Sequence, residues 1–437
     1  MKRNIAYILE EFLESRQDES RILLVEGARQ VGKTYLVNDA LKRIKQHDVI
    51  SINLEKEKDA RFEIDNTRNF EEFTQWLAFE QGFKDNSGYT IFIDEAQESQ
   101  QIGSYVLSMK EDWKRTKIVL TGSSMNKLFD NNTRVPVGRI EYLTVWPFSF
   151  LEFLRYNQFN SQIDYIEQFQ FQQEIPDSIH EKLLSLYDDY LLVGGMPKAV
   201  SAYYEKKDFE KELRFIIASQ KEDFQRKEPQ LKNSLFIEAL KAVGNDVGLS
   251  FIKTHITTND YDASRILDLL KQWYIVIEVA QKGSATNQTN YHPKEYLYDL
   301  GIMRLLRETS IPHISAIHTL NEKLRTPLGG VIENAILLNM LEGKGGFYEI
   351  NGWKDSANKE VDFIYKDIKQ TLPIEVKASL KISNRHAKNL CYYLAAHQLE
   401  TGLLVSLDKP KRMKQQGFEI INVPAYLFSQ RLFDLLG

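Results

Sequence analysis

A glycine-rich loop between an apolar run and a helix-compatible segment constrains the fold of this chain most strongly. Residues 27–34 read GARQVGKT and follow the apolar residues 22–25. Two glycines let the backbone turn so that successive N–H groups point at phosphate oxygens, at the N-terminus of a helix whose dipole favours anions. In such a loop the lysine reaches the β- and γ-phosphates and the threonine hydroxyl ligates Mg²⁺. The loop therefore predicts an ATP site formed by Gly27, Ala28, Arg29, Gln30, Val31, Gly32, Lys33 and Thr34.

The composition limits the class of protein. A chain of 437 residues, 43% hydrophobic and 27% charged, predicts two to four globular domains with sizeable cores. The lone cysteine, Cys391, cannot form an internal disulfide, and the eight histidines show no zinc-binding spacing. The first residues lack the apolar core of a signal peptide, and no apolar stretch is long enough to span a membrane. We therefore expect a cytoplasmic protein, and the net charge of −5 means that nucleic-acid binding would need a local basic surface.

The first third alternates strand-like and helix-like segments, as in a parallel sheet. The predicted strands are residues 21–26, 48–53, 89–94, 117–121 and 140–144. The third of these ends in YTIFIDE, which brings Asp94 and Glu95 to the carboxyl edge of the sheet, where doubly wound sheets bind ligands. We expect Asp94 to hold Mg²⁺ through water and Glu95 to polarise the attacking water. A solvated turn is the alternative interpretation of this acidic pair.

Two further segments supply candidates for catalysis. The fourth strand ends in TGSS, so that Thr121, Ser123 or Ser124 is predicted to hydrogen-bond the γ-phosphate or the attacking water. Serines after a strand are also ordinary turn formers. Arg139, just before the fifth strand, is the arginine best placed to act on a γ-phosphate, in cis or from a neighbouring subunit of a homo-oligomer. A surface position is the alternative for this arginine.

These motifs together resemble a known family. GARQVGKT, YTIFIDEAQ, KIVLTGSS, VPVGRIEYLTVWPFSFLEFLR and YLLVGGMPKAV are similar to bacterial and archaeal AAA-superfamily ATPases that carry a C-terminal domain of unknown function 4143. The resemblance covers nearly the whole chain. It implies an α/β P-loop AAA-like core in which Lys33 and Thr34 contact phosphate and metal, Asp94 and Glu95 form the Walker B pair, and Arg139 is the family's glycine-arginine element. Arg29 also fits the family's loop.

The middle of the chain is predicted to be largely helical. We expect the ATPase core over residues 1–150 and a helical lid or linker over residues 151–225. Residues 156–179, rich in Gln, Asn and Tyr, depart from the family pattern and are interpreted as an insertion or loose loop. Residues 226–315 are predicted to form a winged helix, with helices at 236–243, 251–256 and 261–272, a strand at 274–279 and a polar loop at 281–290. The third helix mixes Asp262, Arg265, Asp268 and Lys271, which favours a structural or protein-contact role over DNA reading.

The last segment, residues 316–437, holds a second constellation. A helix-like stretch brings Glu333, and successive strands bring Asp362, Glu375 and Lys377. Because side chains alternate along a strand, Glu375 and Lys377 share one face, and Asp362 on the neighbouring strand reaches the same point. Two carboxylates beside a lysine are predicted to bind Mg²⁺ or Mn²⁺, with Lys377 orienting a water nucleophile. The αβββαβ order resembles the PD-(D/E)XK nuclease superfamily, which implies catalytic roles for Glu333, Asp362, Glu375 and Lys377.

Two functions of different classes stay open at this point. In one, ATP hydrolysis drives a metal-dependent nuclease that acts on DNA. In the other, the ATPase is a nucleotide switch whose C-terminal half binds a partner or nucleic acid without cutting it. The basic residues Lys409, Lys411, Arg412 and Lys414 are interpreted as a solvated loop, or as contacts that track a phosphate backbone.

Overall fold

The chain folds into two compact units. The computed structural model describes residues 1–15, 21–44, 48–85, 88–123, 128, 140–171, 173–283, 291–307, 310–319, 322–342, 348–357 and 359–429. The first unit contains residues 1–146 together with residues 272–274, and the second contains residues 147–271 and 275–437. The finer predicted division at residues 150, 225 and 315 stays a prediction.

The first unit is built on a five-stranded parallel sheet with the order β2-β3-β4-β1-β5. Its strands are β1 (Arg21–Glu26), β2 (Val49–Asn53), β3 (Thr90–Asp94), β4 (Lys117–Gly122) and β5 (Ile140–Thr144). Its helices are α1 (Ala6–Glu14), α2 (Lys33–Arg43), α3 (Lys58–Asp65), α4 (Phe70–Gln81) and α5 (Ile102–Glu111). All five strands predicted from the sequence are confirmed to within one residue at each end.

The central strands are apolar because helices cover both faces of the sheet. Every residue of β3 is buried, and its isoleucines pack in a core with Ile52 of β2 and Leu120 of β4. Helix α4 begins where the Asn69 side chain accepts a hydrogen bond from the backbone N–H of Glu72, and it ends at Gly82 in the left-handed conformation. These two residues therefore determine where α4 begins and ends.

The second unit begins with helices. They are α6 (Phe150–Tyr156), α7 (Asn160–Gln168), α8 (Asp177–Val193), α9 (Pro197–Tyr204) and α10 (Phe209–Lys227). The interpretation of residues 156–179 as a loose loop is wrong, because α7 lies within them and α8 begins there. Ile163 and Ile166, three residues apart on α7, are both buried, so that this polar segment still buries one helical face.

The region predicted as a winged helix contains three α-helices and a small antiparallel sheet. Its elements are α11 (Leu235–Asp246), α12 (Asp260–Gln272), β6 (Val276–Val279), β7 (Gln281–Lys282), β8 (Lys294–Leu297) and α13 (Leu300–Leu306). The helix predicted at residues 251–256 is wrong, since only a short 3₁₀ turn, Lys253–His255, forms there. Strands β6 and β8 pair antiparallel, and β7 joins a different sheet.

The remaining elements are two helices and six strands, and these strands form a seven-stranded mixed sheet together with β7. They are α14 (Glu322–Leu341), β9 (Tyr348–Lys354), β10 (Glu360–Asp367), β11 (Thr371–Lys377), α15 (Lys388–His397), β12 (Thr401–Ser406), β13 (Lys411–Gln415) and β14 (Phe418–Pro424). The sheet order is β13-β14-β12-β11-β10-β9-β7. The predicted αβββαβ order is present, followed by two further strands. Among the described residues, no helix has both the length and the apolar character needed to cross a bilayer.

Candidate functional site

Two glycines shape the phosphate-binding loop between β1 and α2. Gly27 has φ +140° and Gly32 has φ +97°, conformations that L side chains rarely adopt. A Cβ atom on Gly27 would lie 2.2 Å from the carbonyl oxygen of Val145. Ala28 and Val31 are buried, and Gln30 takes φ +65°. The loop is therefore held against the end of β5, with the N-terminus of α2 directly behind it.

Lys33 lies inside this loop. Its side chain is 5% exposed, and its Nζ donates to the carbonyl oxygens of Gly27 at 2.8 Å and Ala28 at 2.9 Å. Burial lowers the pKa of Lys33 to about 8, although the carboxylates of Glu95 and Asp94 oppose this shift. The nearby carboxylates offset only part of the free-energy cost of burying this ammonium group. A bound phosphate anion would therefore stabilise its charged form strongly.

Asp94, at the end of β3, joins three neighbouring elements by hydrogen bonds. The Thr34 hydroxyl donates to it at 2.9 Å, and Asn53 Nδ2 donates to its Oδ2 at 2.6 Å. The hydroxyl of Thr121, at the end of β4, donates to its Oδ1. The aspartate is 3% exposed. Because these donors come from α2, β2 and β4, Asp94 holds one fixed position beside the loop.

Glu95 follows directly and turns the chain away from the sheet. It adopts φ +53°, and its backbone N–H donates to the Thr121 hydroxyl at 3.3 Å. Gln97 Nε2 donates to Glu95 Oε2 at 2.6 Å, which holds the carboxylate in place. A residue held in this uncommon conformation costs of order 1 kcal/mol, and such strain is concentrated at functional sites. The Glu95 carboxylate is thus held next to Asp94 by its own hydrogen bond, independently of the contacts that hold Asp94.

The donors present fit a nucleotide-bound Mg²⁺. Thr34 and Asp94 offer a hydroxyl and a carboxylate in direct contact with each other, and hard oxygen atoms are what Mg²⁺ prefers. When bound, the ion would neutralise charge on the β- and γ-phosphates. Lys33 would contact the same phosphates from the loop, and Glu95 would accept a proton from a nucleophilic water.

The structure describes some of the other residues predicted for this site and not others. Ser123 is buried just beyond β4. Of the two alternatives for γ-phosphate sensing that the structure describes, Thr121 and Ser123, the hydroxyl of Thr121 contacts Asp94. Ser124 and Arg139 lie outside the described residues, so that their roles stay predictions.

Four residues of this site were not singled out from the sequence. Asn53 ends β2, the strand next to β3, and its position at the carboxyl edge was the available signal. Gln97 stands two residues after Glu95. Glu26, directly before the loop, is hydrogen-bonded to Tyr274 and Thr144, and burial raises its pKa. No local sequence pattern predicts that Tyr274 lies near this loop. The tyrosine belongs to residues 272–274, which are far from the loop along the chain but fold as part of the first unit.

The C-terminal sheet collects the second predicted constellation. Strands β10 and β11 pair antiparallel with Phe363 opposite Ile374, so that Asp362 and Glu375 lie on neighbouring strands. The backbone N–H of Val376 donates to Asp362 Oδ2 at 2.8 Å, and Lys377 Nζ contacts Glu375 Oε1. The predicted grouping of the two carboxylates and the lysine is thus present in the fold; both carboxylates are buried, whereas the Lys377 side chain is 34% exposed.

Glu333 enters this cluster through a residue that the sequence analysis missed. Lys294, the first residue of β8, has its Nζ 2.9 Å from Glu333 Oε1 and 3.1 Å from Asp362 Oδ1. The hydroxyl of Tyr296 on the same strand donates to Glu333 Oε1 at 2.5 Å. The alternation Lys294-x-Tyr296 along one strand face was the signal available for these two residues.

The charges in the cluster shift each other's pKa values. Burial, reinforced by Asp362, raises the pKa of Glu333 to about 7 and that of Glu375 to about 8. Burial would raise the pKa of Asp362 too, but Lys294 and Lys377 hold it below its ordinary value. The aspartate is therefore the carboxylate that stays ionised most readily.

Three of the four basic residues near the C-terminus lie on a strand, and Lys409 precedes it. Lys411, Arg412 and Lys414 lie on the edge strand β13, which corrects the interpretation as a solvated loop. Lys409 pairs with Asp177 at 2.5 Å, and Arg412 pairs with Glu419 at 2.8 Å. Exposed lysines and arginines are typical of edge strands, where they discourage pairing with another chain.

Family models match three parts of the chain. An AAA domain matches residues 19–154, and a domain of unknown function, DUF4143, matches residues 328–426. A second domain of unknown function, DUF8612, matches residues 184–311. These matches support a P-loop AAA ATPase core followed by a C-terminal DUF4143 domain. The AAA match includes the loop, Asp94 and Glu95, and the DUF4143 match includes Glu333, Asp362, Glu375 and Lys377.

Two relatives of the AAA–DUF4143 protein match over nearly its full length. An uncharacterized protein of Haemophilus influenzae is 24% identical over 440 residues, which cover 94% of this chain and 95% of that protein. An uncharacterized protein of Methanocaldococcus jannaschii is 24% identical over 434 residues, which cover 96% of this chain and 88% of that protein. The likeness to both relatives therefore extends well beyond the residues of any single family match.

Solved structures give weaker likenesses. The Orc1 protein of Aeropyrum pernix in complex with DNA has a TM-score of 0.28 and 12% identity, over 69% of this chain and 89% of that one. The Cdc6p protein of Pyrobaculum aerophilum has a TM-score of 0.26 and 13% identity, over 69% of this chain and 91% of that one. At this level the likenesses carry no conclusion about the AAA–DUF4143 protein.

Proposed function

We propose that this protein is an ATP-hydrolysing, Mg²⁺-dependent switch whose C-terminal half binds a partner or nucleic acid without cutting it. The hydrogen-bonded position of Asp94 between Thr34, Asn53 and Thr121 carries the first part of the proposal. It keeps a metal-binding carboxylate beside the phosphate loop and leaves the adjacent Glu95 as a separate base. A cytoplasmic location is part of this proposal.

Each residue has a distinct task in hydrolysis. The loop N–H groups and Lys33 bind and orient the triphosphate, which is the larger part of catalysis in phosphoryl transfer. Glu95, held by Gln97, accepts a proton from the attacking water. Thr121 contacts both Asp94 and the Glu95 backbone, so that it links the metal side of the site to the water side.

Steady-state ATP hydrolysis by the purified protein tests the first part. We expect Mg²⁺-dependent phosphate release that is lost in Lys33→Ala, while Lys42→Ala, at the far end of α2, keeps the wild-type rate. Wild-type hydrolysis no faster than that of Lys33→Ala would contradict the proposal. Arg139 is proposed to complete the site from a neighbouring subunit, and turnover restored by mixing Arg139→Ala with Lys33→Ala protein would support this.

The second part concerns the C-terminal domain, whose element order supports a PD-(D/E)XK-like fold. Metal-dependent cleavage of DNA is the alternative function. Binding is favoured by a specific observation, since the carboxylates needed for a metal are already paired with Lys294 and Lys377. The winged-helix interpretation of residues 226–315 is part of the same proposal, as a module that contacts the partner.

A cleavage assay separates the two alternatives. Purified protein is incubated with linear and circular DNA, with Mg²⁺ or Mn²⁺ and with or without ATP, beside a Lys377→Ala variant. We expect no difference between the wild type and the variant in the integrity of the DNA. Cleavage by the wild type that Lys377→Ala abolishes would overturn the non-cleaving role and establish the nuclease.

A further inference from the structure

Lys294 is the cation at the centre of the C-terminal carboxylate cluster. Its side chain is 1% exposed, and three carboxylates surround its ammonium group. The nitrogen lies 2.9 Å from Glu333, 3.1 Å from Asp362 and 2.6 Å from Glu360. The ammonium donates hydrogen bonds to Glu333 and Asp362 and forms an ion pair with Glu360. The ammonium therefore fills the space between the helix α14 and the strand β10 on which these carboxylates stand.

The surroundings keep Lys294 charged. Burial alone would lower its pKa, but the carboxylate of Glu333, with contributions from Tyr296, Asp362 and Glu360, raises it well above the ordinary value. A buried charge is stable only when it is paired and hydrogen-bonded, and here both conditions are met. Lys294 thus supplies a positive charge beside the carboxylates at which the sequence pattern predicts a divalent metal ion.

The carboxylate oxygens have little capacity left for a metal. One oxygen of Asp362 binds Lys294, and the other accepts from the Val376 backbone. Glu333 Oε1 accepts from both Lys294 and Tyr296, and Glu375 Oε1 binds Lys377. Among the residues that the structure describes, no group of three or more acidic, histidine or cysteine side chains is arranged to hold a metal ion. The arrangement does not fit the Mg²⁺ or Mn²⁺ that the sequence pattern predicts.

Three carboxylate oxygens surround one point in this cluster. Glu333 Oε1, Asp362 Oδ1 and Glu360 Oε1 all lie within 3.1 Å of the Lys294 nitrogen. Without the ammonium group, these oxygens would face a cation bound in its place. Hard oxygen ligands of this kind suit Mg²⁺ and Mn²⁺. The ammonium group of Lys294 therefore occupies the position at which these carboxylates would otherwise bind a metal ion.

We propose that Lys294 is a built-in replacement for the divalent cation of the C-terminal domain, and that loss of its ammonium group converts the cluster into a Mn²⁺ site. The proposal rests on the non-cleaving role inferred above and does not involve ATP hydrolysis. In this proposal Lys294 neutralises the charges of Glu333 and Asp362, as a bound metal ion would. The domain then folds and binds its partner without metal.

Mn²⁺ binding to the full-length protein, followed by the loss of the free-ion electron paramagnetic resonance signal in the absence of nucleotide, tests this. Five proteins are compared, namely the wild type, Asp362→Asn, Lys294→Met, Lys294→Met with Asp362→Asn, and the control Lys282→Met. Lys282 is an exposed lysine of β7 that pairs with exposed Glu349. We expect Lys294→Met to gain one Mn²⁺ site at least tenfold tighter than any site in the wild type or the control, and Asp362→Asn to remove it.

The outcomes distinguish the proposal from the proposed function. A wild-type Mn²⁺ site that Asp362→Asn alone abolishes would overturn the role of Lys294, and so would a folded Lys294→Met protein without a new site. If Lys294→Met does not fold, the wild-type measurement still decides, because the absence of an Asp362-dependent site supports the proposal. Metal-independent DNA cleavage by the wild type would overturn the non-cleaving function and leave the role of Lys294 intact.

Discussion

The hydroxyl of Thr34 lies within 3.0 Å of both carboxylate oxygens of Asp94. This contact joins the last residue of the phosphate loop to the end of β3, and it is the point at which the two nucleotide-binding motifs meet. Asn53 holds the same carboxylate from the opposite side, at 2.6 Å. The orientation of Asp94 therefore depends on a residue outside both motifs.

Replacing Asn53 tests this dependence. Removal of one hydrogen bond to a charged group costs about 1.5 kcal/mol, so we expect Asn53→Ala to weaken MgATP binding about tenfold. Binding of ATP in EDTA should change little, because the loop and Lys33 are intact. Isothermal titration with and without Mg²⁺ measures both. Asn66→Ala is the control, since that amide donates only to the Phe62 carbonyl on the surface. Equal loss in EDTA would show a general distortion of the site.

The second prediction separates binding from hydrolysis. Glu95→Gln keeps the shape and the hydrogen-bonding capacity of the side chain but cannot accept a proton from water. We expect ATP affinity near that of the wild type and a turnover reduced about 10²-fold or more. Glu98→Gln is the matched control, because Glu98 lies on the same turn and pairs with Arg61 at 3.5 Å. Undiminished turnover in Glu95→Gln would show that another group polarises the water.

The third prediction follows from the lowered pKa of Lys33, about 8. In the free protein this lysine loses its proton as the pH rises through 8, whereas a bound triphosphate favours the charged form. ATP binding must then take up a proton above pH 8, and we expect the affinity to fall roughly tenfold per pH unit there. Titrations at about pH 7, 8 and 9 measure it. Lys33→Arg stays charged and should remove most of the slope. A slope as steep in Lys33→Arg would assign it to another group.

The nucleotide site could be predicted from local sequence to a large extent. The loop, the apolar strands and the acidic pair after β3 are each encoded within a few residues, because backbone turns and strand burial depend on short-range patterns. Asn53 and Tyr274 could not be found in this way, since only the sheet order and the tertiary fold bring them to the loop.

The C-terminal cluster shows the same limit more strongly. Glu333, Asp362, Glu375 and Lys377 follow the order of a known pattern, but Lys294 stands 39 residues before Glu333 and outside that pattern. Helix α14 also runs through Pro327 and two glycines, which in the sequence suggest a break. A Cβ atom on Gly330 would lie 2.4 Å from the Val247 carbonyl oxygen, so the glycine permits a close approach of the helix. Packing of this kind has no signature in a single sequence.

The last prediction concerns stability and pH. Glu375 has an ordinary pKa of 4.5 in the unfolded chain and a pKa raised to about 8 in the fold, by burial and by Asp362. A carboxyl with a raised pKa contributes stability that is complete below pH 4.5 and is lost as the pH rises to 8. Glu375→Gln has no such group. We therefore expect this variant to gain stability relative to the wild type between about pH 5 and 8, on the order of 1 to 3 kcal/mol.

Urea unfolding at four pH values in this range measures the difference between the two proteins. Glu349→Gln is the control, because this carboxylate is exposed on β9 and its hydrogen bond to Lys282 lowers its pKa. It stays ionised throughout the range, so its substitution should give a difference from the wild type that does not change with pH. A Glu375→Gln difference that is equally flat would mean that Glu375 is ionised at pH 5 already. The ammonium group of Lys377 would then compensate the charge of Glu375 and outweigh the effect of burial on its pKa.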